Sequence, residues 1–599
     1  MARMTTKQIN LWLVASILVA TAALCGAEPP RAVPKFHCIG LYWNVEGGAA
    51  ENTCQVRYRP KDSAAWQTAM PLWYDARGAE VFGRLYSSDR DRYAPNKMFL
   101  VLSHSHQYRG SIVNLRPATE YEIELSVNNG MWREVVTATT WSEAFPVVKT
   151  ILLARQSAET LAISESGSVR GYVLYTHGKD VNTATIDVDG KRDHCVEVRA
   201  SYVVIRGLTL KNAGIHGIRI FPGCHDVVIE QCDISGWERH DEREDQRWGR
   251  DMDAAVFAQE RDEFNPTICR IIIQRCKIHH PRYDTNSWSE YRKRLDPDRK
   301  NKDWHPLGPQ AVTFYDTLGN HVIRYNDIWS DLNHYYNDII GGGHNFSALG
   351  SPDRDSDIYG NRLQNCWDDA IESEGANCNV RIWGNYISHS MVAVASAATH
   401  IGPLYIWRNV TAVSQAAPDR REGGPFLKAG IGSGFGGGRT YVFHNTLLQP
   451  SAVDLTGESG WQGYAIGLSE WGGALINHVS RNNIWHVFAD RGYSISQRSD
   501  RSRDNDYDYD LYSGRITPTE GQEEHGIKGR PVYESRGAQG RYDLLPTSPG
   551  FDAGLRIANF NDDFVGDGPD MGAFEAGTPP LEFGVTAYLG GEGLSAALR

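Results

Sequence analysis

The stretch Ile358-Tyr359-Gly360-Asn361-Arg362-Leu363 and its recurrence Ile382-Trp383-Gly384-Asn385-Tyr386-Ile387 decide the fold of this chain. In both copies an apolar residue stands three positions before an Asn, and another stands two positions after it. The two Asn residues are 24 positions apart, and the first half of the pattern returns after another 24 at Asn409. A period of about 20 to 50 residues indicates a solenoid, because one such unit cannot bury its own apolar face.

The same pattern continues over most of the chain beyond residue 150. A further copy contains Asn445, and Cys232 and Cys276 occupy the Asn position in two earlier copies. The motif resembles the turn of right-handed parallel β-helices, whose coils have this length and whose stacked Asn side chains bond along the turn. The resemblance implies that Asn361, Asn385 and Asn445 form part of one inward-facing stack.

This β-helix domain is expected at residues 150–577, followed by a C-terminal tail at 578–599. Longer intervals between copies of the motif predict loops inserted into the coils at 237–264, 281–310 and 343–355. Binding surfaces of solenoid proteins usually involve such loops, because the coils hold them on a rigid support.

Residues 34–145 show a different pattern, with short runs in which apolar and polar residues alternate, as in an antiparallel sandwich. The stretch Leu115-Arg116-Pro117-Ala118-Thr119-Glu120-Tyr121 resembles the tyrosine corner of fibronectin type III domains, in which the Tyr hydroxyl holds the turn between two sheets. The resemblance implies a fibronectin type III-like spacer or docking module. The predicted fold class is therefore all-β, a sandwich followed by a solenoid with inserted loops.

Composition and the first residues restrict the cellular setting. A net charge of -12 argues against a nucleic-acid partner, because neutralising phosphates needs clustered Lys and Arg. Arg3 and Lys7, the apolar run from Leu11 to Leu24 and the small Ala27 predict a signal peptide at 1–27. We therefore expect an exported, extracellular or periplasmic monomer without a membrane span, since no later stretch is long and apolar enough.

Nine cysteines follow residue 27. An odd number leaves at least one thiol unpaired within the chain. Their spacings match no zinc knuckle, so we expect buried thiols with a few disulfides and no metal held by cysteine.

The densest acidic stretch lies at residues 367–375 and contains Asp368, Asp369, Glu372 and Glu374. Side chains alternate along a strand, so Glu372 and Glu374 should share the outer face, with Cα atoms about 6.5 to 7 Å apart. Carboxyl groups about 5 to 9.5 Å apart are what glycoside hydrolysis requires. The stretch therefore predicts a catalytic site.

The pair Asp368-Asp369 at the start of a strand also resembles the Asp-Asp of polygalacturonase-like β-helix hydrolases. In that family another Asp comes from the preceding coil and a His from the following one. The resemblance implies catalytic roles for Asp368, Asp369 and Asp338, and it draws attention to His389 and His400. The Gly-His-Gly and Arg-Ile-Lys elements of the family do not occur in this sequence.

Counting back from the Asn position predicts which residues neighbour the acids on the same sheet. Equal offsets place Thr313 and Arg219 in the column of Glu372, and Ser396 in the next coil. The side chains expected to contact substrate are Trp367, Tyr315, Arg219, His389, His400 and Lys428.

These features favour a secreted glycoside hydrolase that cleaves a polysaccharide and requires no cofactor. The basic run Arg292-Lys293-Arg294, close to Trp288, suits an anionic sugar. One alternative is a polysaccharide lyase, in which Glu372, Glu374 and Asp368 bind Ca²⁺ and Lys428 or an Arg abstracts a proton from a uronate. A second alternative is a glycan-binding surface protein without activity. The sequence leaves the metal question open.

Overall fold

The computed structural model describes residues 29–589 apart from 78–80, 84–99, 103–105, 180–182, 261–264, 301–303, 343–349, 398, 420–422, 431–435, 450–465, 471–472, 488–491, 518–519 and 535–541. The signal peptide expected at 1–27 lies outside the described residues, as does much of the loop expected at 343–355. The described residues form strands and turns without a helix. Accordingly, they contain no helix with the length and apolar character that crossing a membrane demands.

The chain divides into two compact units, residues 1–79 with 104–141 and residues 80–103 with 142–599. The first unit is a seven-stranded antiparallel sheet. Numbered by their order in the sequence, its strands lie side by side in the order 1-2-5-4-3-6-7. Its strands are Arg31–Pro34, Ile39–Trp43, Cys54–Pro60, Gln67–Asp75, Gln107–Ile112, Glu120–Val127 and Trp132–Thr139.

The tyrosine corner of the first unit is confirmed. The backbone N–H of Arg116 donates a hydrogen bond of 2.9 Å to the Tyr121 hydroxyl. Tyr121 belongs to the apolar core of this unit, which also includes Trp43, Val56 and Leu125. This arrangement fits the fibronectin type III-like domain expected from the sequence, with a first strand that begins at Arg31.

The second unit is a parallel β-helix made of three sheets. Sheet 1 contains Val147–Leu153, Tyr172–His177, Val203–Arg206, His225–Glu230, Cys269–Gln274, Val322–Arg324, Asp357–Tyr359, Val380–Trp383, Leu404–Trp407, Thr440–Phe443, His478–Arg481 and Asp506–Tyr507. Sheet 2 contains Gln156–Ser157, Ala184–Asp187, Leu208–Lys211, Asp233–Ser235, Lys277–His279, Asp327–Trp329, Arg362–Gln364, Tyr386–Ser390, Val410–Ser414, Thr446–Gln449, Ile484–Val487, Leu511–Tyr512 and Ile527–Lys528. Sheet 3 contains Leu161–Ile163, His194–Val198, His216–Ile220, Ala254–Gln259, Gln310–Tyr315, Ile340–Gly341, Asp369–Glu372, Val392–Ala395, Pro425–Lys428, Ile466–Ser469, Tyr493–Ser496 and Arg515–Ile516. A separate hairpin pairs Val81–Gly83 with Leu100–Leu102.

The Asn stack lies at the turn from sheet 1 to sheet 2. The Asn361 side-chain amide donates to Ile323 O at 3.0 Å and to Asn385 Oδ1 at 2.9 Å. Asn385 repeats both bonds one coil further on, to Ile358 O and Asn409 Oδ1. The buried ladder begins at Asn326, extends through Asn445 and Asn483 and ends at Asp510. The expected stack is confirmed and is longer than the motif predicted.

The cysteines depart from expectation. All nine described cysteines are buried and none forms a disulfide, so the prediction of a few disulfides was wrong. Six of them belong to the apolar cores of the two units, where a thiol packs as a small hydrophobic group. Burial raises the pKa of the Cys195 thiol to about 12, so this side chain stays neutral.

One predicted loop boundary also differs. The loop expected at 237–264 contains the sheet 3 strand Ala254–Gln259, so its longer insertion ends before that strand, whereas the loop expected at 281–310 does connect sheets 2 and 3. Within the segment expected as a C-terminal tail, Val585 O and Ala587 O accept hydrogen bonds from Arg275 Nη1 at 3.0 Å and 2.8 Å. The C-terminal segment therefore packs on the solenoid.

Replacing Asn385 with Ala should lower the free energy of unfolding by about 1 to 3 kcal/mol, because buried amide partners are then left without hydrogen bonds. The affected groups are the backbone and side-chain N–H of Asn361 and the carbonyl of Ile358. Urea unfolding followed by circular dichroism measures the change. Asn333→Ala, at an exposed Asn outside the ladder, is the matched control. Equal stability of the two variants would contradict a stabilising ladder.

Candidate active site

The acidic stretch identified in the sequence forms the middle of sheet 3. Its strand Asp369–Glu372 pairs with Val392–Ala395, in the register Glu372 to Ala395. Ala395 in turn pairs with Lys428 on the following coil. Parallel strands lie about 4.8 Å apart, so Lys428 and Glu372 occupy one column two coils apart.

Five carboxyl groups gather at this position. Carboxylate oxygens of Asp338, Asp368 and Asp369 lie within 4.8 Å of one another, and so do those of Asp369, Glu372 and Glu374. All five residues are buried, and Asp369 and Glu374 are each only 1% exposed. Asp369 belongs to both groups and therefore joins them into one cluster.

Neighbouring coils hold the carboxylates in place. Asp338 Oδ1 accepts from the Asp369 N–H at 3.0 Å, and Asp338 Oδ2 accepts from Gln310 Nε2 at 2.9 Å. The Gly342 N–H donates to Glu372 Oε2 at 3.2 Å. A Cβ atom at Gly341 would lie only 3.1 Å from this Glu372 oxygen. Glycine at this position leaves room for the cluster.

One lysine and one histidine side chain contact the acids. Lys428 Nζ lies 2.6 Å from Asp369 Oδ2 and 3.7 Å from Glu374 Oε1. His305 Nε2, from the loop between sheets 2 and 3, lies 3.2 Å from Asp368 Oδ2. The Lys428 ammonium is buried among the carboxylates, whereas His305 is exposed.

Burial and mutual repulsion shift the ionisation of the cluster. Burial, then the charge of Asp369, raises the pKa of Asp368 to about 7, although His305 and Lys428 oppose this. Burial and then the charge of Glu372 raise the pKa of Asp338 well above its ordinary value. Burial also raises the pKa of Glu374 well above its ordinary value, with smaller contributions from Glu372 and Asp369. Burial lowers the pKa of Lys428, but Asp369, Glu374 and Asp368 outweigh it and leave the pKa well above its ordinary value. The surroundings therefore favour the charged form of Lys428 and the protonated forms of Asp338, Asp368 and Glu374.

The cluster fits a divalent cation. Five carboxyl groups face one buried lysine, and Asp369 Oδ1 is buried without a hydrogen-bond partner in the described part of the chain. Ca²⁺ binds about six to eight oxygen atoms and prefers carboxylates. Asp338, Asp368, Asp369 and Glu372 supply hard oxygen ligands from successive coils.

The structure brings together the five predicted acids and Lys428, and it gives the side chains of Trp367 and His400 contacts within the fold. Trp367 is buried and stacks on Tyr335, with ring centroids 4.0 Å apart, so its ring packs in the fold. His389 lies in sheet 2, and the Nδ1 of the buried His400 accepts from the Gly436 N–H at 3.0 Å. The rings of Trp367 and His400 therefore take structural positions, whereas the substrate-binding role of His389 stays a prediction.

The predicted column on sheet 3 is correct upstream and wrong by one residue downstream. Arg219 pairs with Phe257 and Phe257 with Thr313, and Thr313 leads through Gly341 towards Glu372. Glu372 pairs with Ala395 instead of the expected Ser396. The turn after Val392–Ala395 is one residue longer than the turn after Asp369–Glu372, which shifts the count.

The sequence prediction missed two contacts of the cluster. Gln310 begins the strand that carries Thr313, so the same counting could have found it. His305 comes from an inserted loop, whose path no periodicity describes.

Comparisons with known proteins give little further guidance. No family model matches the chain, and no curated protein matches it. Among solved structures, the chain is similar to pectate lyase Pel9A with a TM-score of 0.37 and 11% identity, over 73% of this chain and 91% of that one. A likeness of this size does not establish an activity.

The raised pKa of Asp368 predicts a pH-dependent stability. Its pKa is about 7 in the folded protein against an ordinary value of 3.8, so between these values the folded state binds the extra proton. The stabilisation that Asp368 contributes is complete below its ordinary pKa of 3.8 and is lost as the pH rises through its pKa of about 7 in the folded protein. The expected slope is about 1.4 kcal/mol per pH unit for one group.

Urea unfolding of the parent protein and Asp368→Asn from about pH 4 to about pH 8, with a chelator present, tests this slope. As the pH rises over this range, the free energy of unfolding of the parent protein should fall relative to that of Asp368→Asn. Parallel pH curves would show that Asp368 has an ordinary pKa.

Proposed function

We propose that the protein is a calcium-dependent polysaccharide lyase that cleaves a uronate-containing chain by β-elimination. The observation that carries the proposal is the Lys428 ammonium, buried 2.6 Å from Asp369 within a cluster of carboxylates. A lyase needs a cation to neutralise the uronate carboxylate and a base to remove the neighbouring proton. The cluster and the lysine supply candidates for both tasks side by side.

The same geometry argues against the glycoside hydrolase favoured by the sequence. In a hydrolase the two carboxyl groups flank the sugar, about 5 to 9.5 Å apart, with the ring between them. The oxygens of Asp369, Glu372 and Glu374 lie within 4.8 Å of one another in one pocket. The pocket suits an ion better than a sugar ring.

In the proposed site Asp338, Asp368, Asp369 and Glu372 would hold the calcium. Bound calcium would withdraw charge from the uronate carboxylate and so acidify the proton on the adjacent carbon. Glu374 stays beside Lys428, with Oε1 3.7 Å from Nζ, and positions the amine. His305, 3.2 Å from Asp368, fixes that carboxylate at the edge of the pocket.

Lys428 acts as the base. The charges of Asp369, Glu374 and Asp368 keep its pKa high, whereas burial alone lowers it. A cation held by the carboxylates would offset those charges and leave the lowering effect of burial, so the Lys428 amine would be neutral and able to accept a proton. Nζ takes the proton from C5 of the uronate, the C–H electron pair forms the C4–C5 double bond, and the glycosidic oxygen departs from C4 with its electrons and gains a proton from solvent.

Replacing Lys428 with Ala should lower turnover by about 100-fold or more, the scale of losing a general base. The assay incubates the protein with polygalacturonate and alginate and follows the ultraviolet absorbance of the unsaturated product. Lys149→Ala is the matched control, because that lysine is exposed on sheet 1 and pairs with Glu165. EGTA should abolish the product, and excess calcium should restore it.

Two other results would contradict the proposal. New reducing ends without ultraviolet absorbance would show hydrolysis. Retention of either polymer without any product would favour the glycan-binding alternative.

A further inference from the structure

A second cavity opens on sheet 3, on coils that precede the acids. It has a volume of about 480 Å³ and is lined by side chains of sheet 3 and of the loop before Ala254–Gln259. Its walls include two predicted substrate-binding residues, Arg219 and Tyr315. The candidate active site makes no use of either residue.

One wall of the cavity is a rigid stack of rings. His194 stacks on His216 with centroids 5.4 Å apart, and His216 stacks on Phe257 at 4.1 Å, both with interplanar angles of 11°. Burial lowers the pKa of both imidazoles, that of His216 well below its ordinary value. The wall is therefore neutral near pH 7. The Arg219 guanidinium lies over Phe257, 4.4 Å from the ring centroid, and is held there by this contact.

Arginines dominate the charge of the cavity. Arg219, Arg239 and Arg250 line it together with two carboxylates, Asp251 and Asp253. Asp253 is engaged by Arg239, whose Nε lies 2.8 Å from Asp253 Oδ2. The lining thus contains three guanidinium groups against two carboxylates. An excess of positive charge remains for a ligand.

The cavity is connected to the candidate active site. Asn337 Nδ2 donates to Asp251 Oδ1 at 3.3 Å, and Asn337 also donates to Asp338 Oδ2 at 3.2 Å. On the sheet, Phe257 precedes Glu372 by three coils, through Thr313 and Gly341. At about 4.8 Å per coil this separation is about 14 Å. A sugar chain lying along sheet 3 over the acids would reach the arginines.

We propose that this cavity is a distal subsite for the polysaccharide that the acids and Lys428 cleave. It binds a carboxylate-bearing sugar unit of that polysaccharide. The inference rests on the proposed function for the position of the chain, but its ligand chemistry comes from the arginines. Arg219 and Arg250 bind the carboxylate, and the ring wall packs against the sugar. The enzyme therefore prefers long anionic chains that fill both positions.

The test compares Arg219→Ala/Arg250→Ala with Arg170→Ala, an exposed arginine outside the cavity, on saturated galacturonate and guluronate trimers and octamers. The double variant should raise KM for the octamer by about tenfold or more, the scale of losing a charged hydrogen bond. Its kcat should stay near that of the parent, and its KM for the trimer should not change. The control should behave like the parent with both lengths.

Calorimetry of octamer binding to Lys428→Ala, with and without the two arginine changes, separates this inference from the lyase proposal. Loss of octamer affinity on removal of the arginines supports the subsite, even if the parent yields no unsaturated product. Unchanged affinity overturns the subsite, even if the lyase activity is real. An equal rise in KM for trimer and octamer would also overturn it, because the arginines would then act at the active site.

Discussion

The structure depends on one repeated hydrogen-bond arrangement, the side-chain amide of each Asn bonded to the next coil at the turn from sheet 1 to sheet 2. Asn361 binds the carbonyl of Ile323 on one side and Asn385 on the other. The chain bends sharply here, and buried backbone groups at a bend need partners that no sheet supplies. Each Asn therefore fixes the height of its coil relative to the next. The ladder sets the height of each coil, and the length of the turn between sheet 3 and the next sheet 1 strand then sets which residues of sheet 3 lie side by side.

The tight turn explains why the insertions lie elsewhere. The turn between sheets 1 and 2 keeps one length along the ladder, whereas long segments enter between sheets 2 and 3 before Ala254–Gln259 and Gln310–Tyr315. Loops at that position stand beside sheet 3. One of them carries His305 to Asp368 and another forms a wall of the arginine cavity. The turn between sheets 1 and 2 thus maintains the fold, whereas the turn between sheets 2 and 3 carries residues of the candidate sites.

This division also explains which features the sequence could predict. The Asn of the tight turn recurs at Asn361 and Asn385 after one coil of 24 residues, so the solenoid could be predicted from the sequence. The grouping of Asp368, Asp369, Glu372 and Glu374 could be predicted too, because these residues lie within one short stretch of a coil. The pairing of Glu372 with Ala395 could not, because one extra residue in the next turn shifts the register without altering the motif. The position of His305 depends on a loop path and on packing, for which a periodic pattern holds no information. Asn483 escaped the motif because Ser480 stands where an apolar residue was expected.

The charge of the whole molecule connects the two proposed positions on sheet 3. A protein with a net charge of -12 repels an anionic polymer at distances within the Debye length, about 8 to 10 Å at ordinary ionic strength. The buried acids cannot attract such a polymer themselves, since even after binding calcium they carry no large positive excess. A local group of arginines can make the electrostatic potential positive along one stretch of sheet 3. The cavity at Arg219 and Arg250 lies three or four coils from the acids, so it can hold one unit of the polymer while another unit further along the same polymer occupies the site of elimination. Binding and chemistry would then be separated along the solenoid, and the acidic cluster would need to recognise only the metal and one sugar.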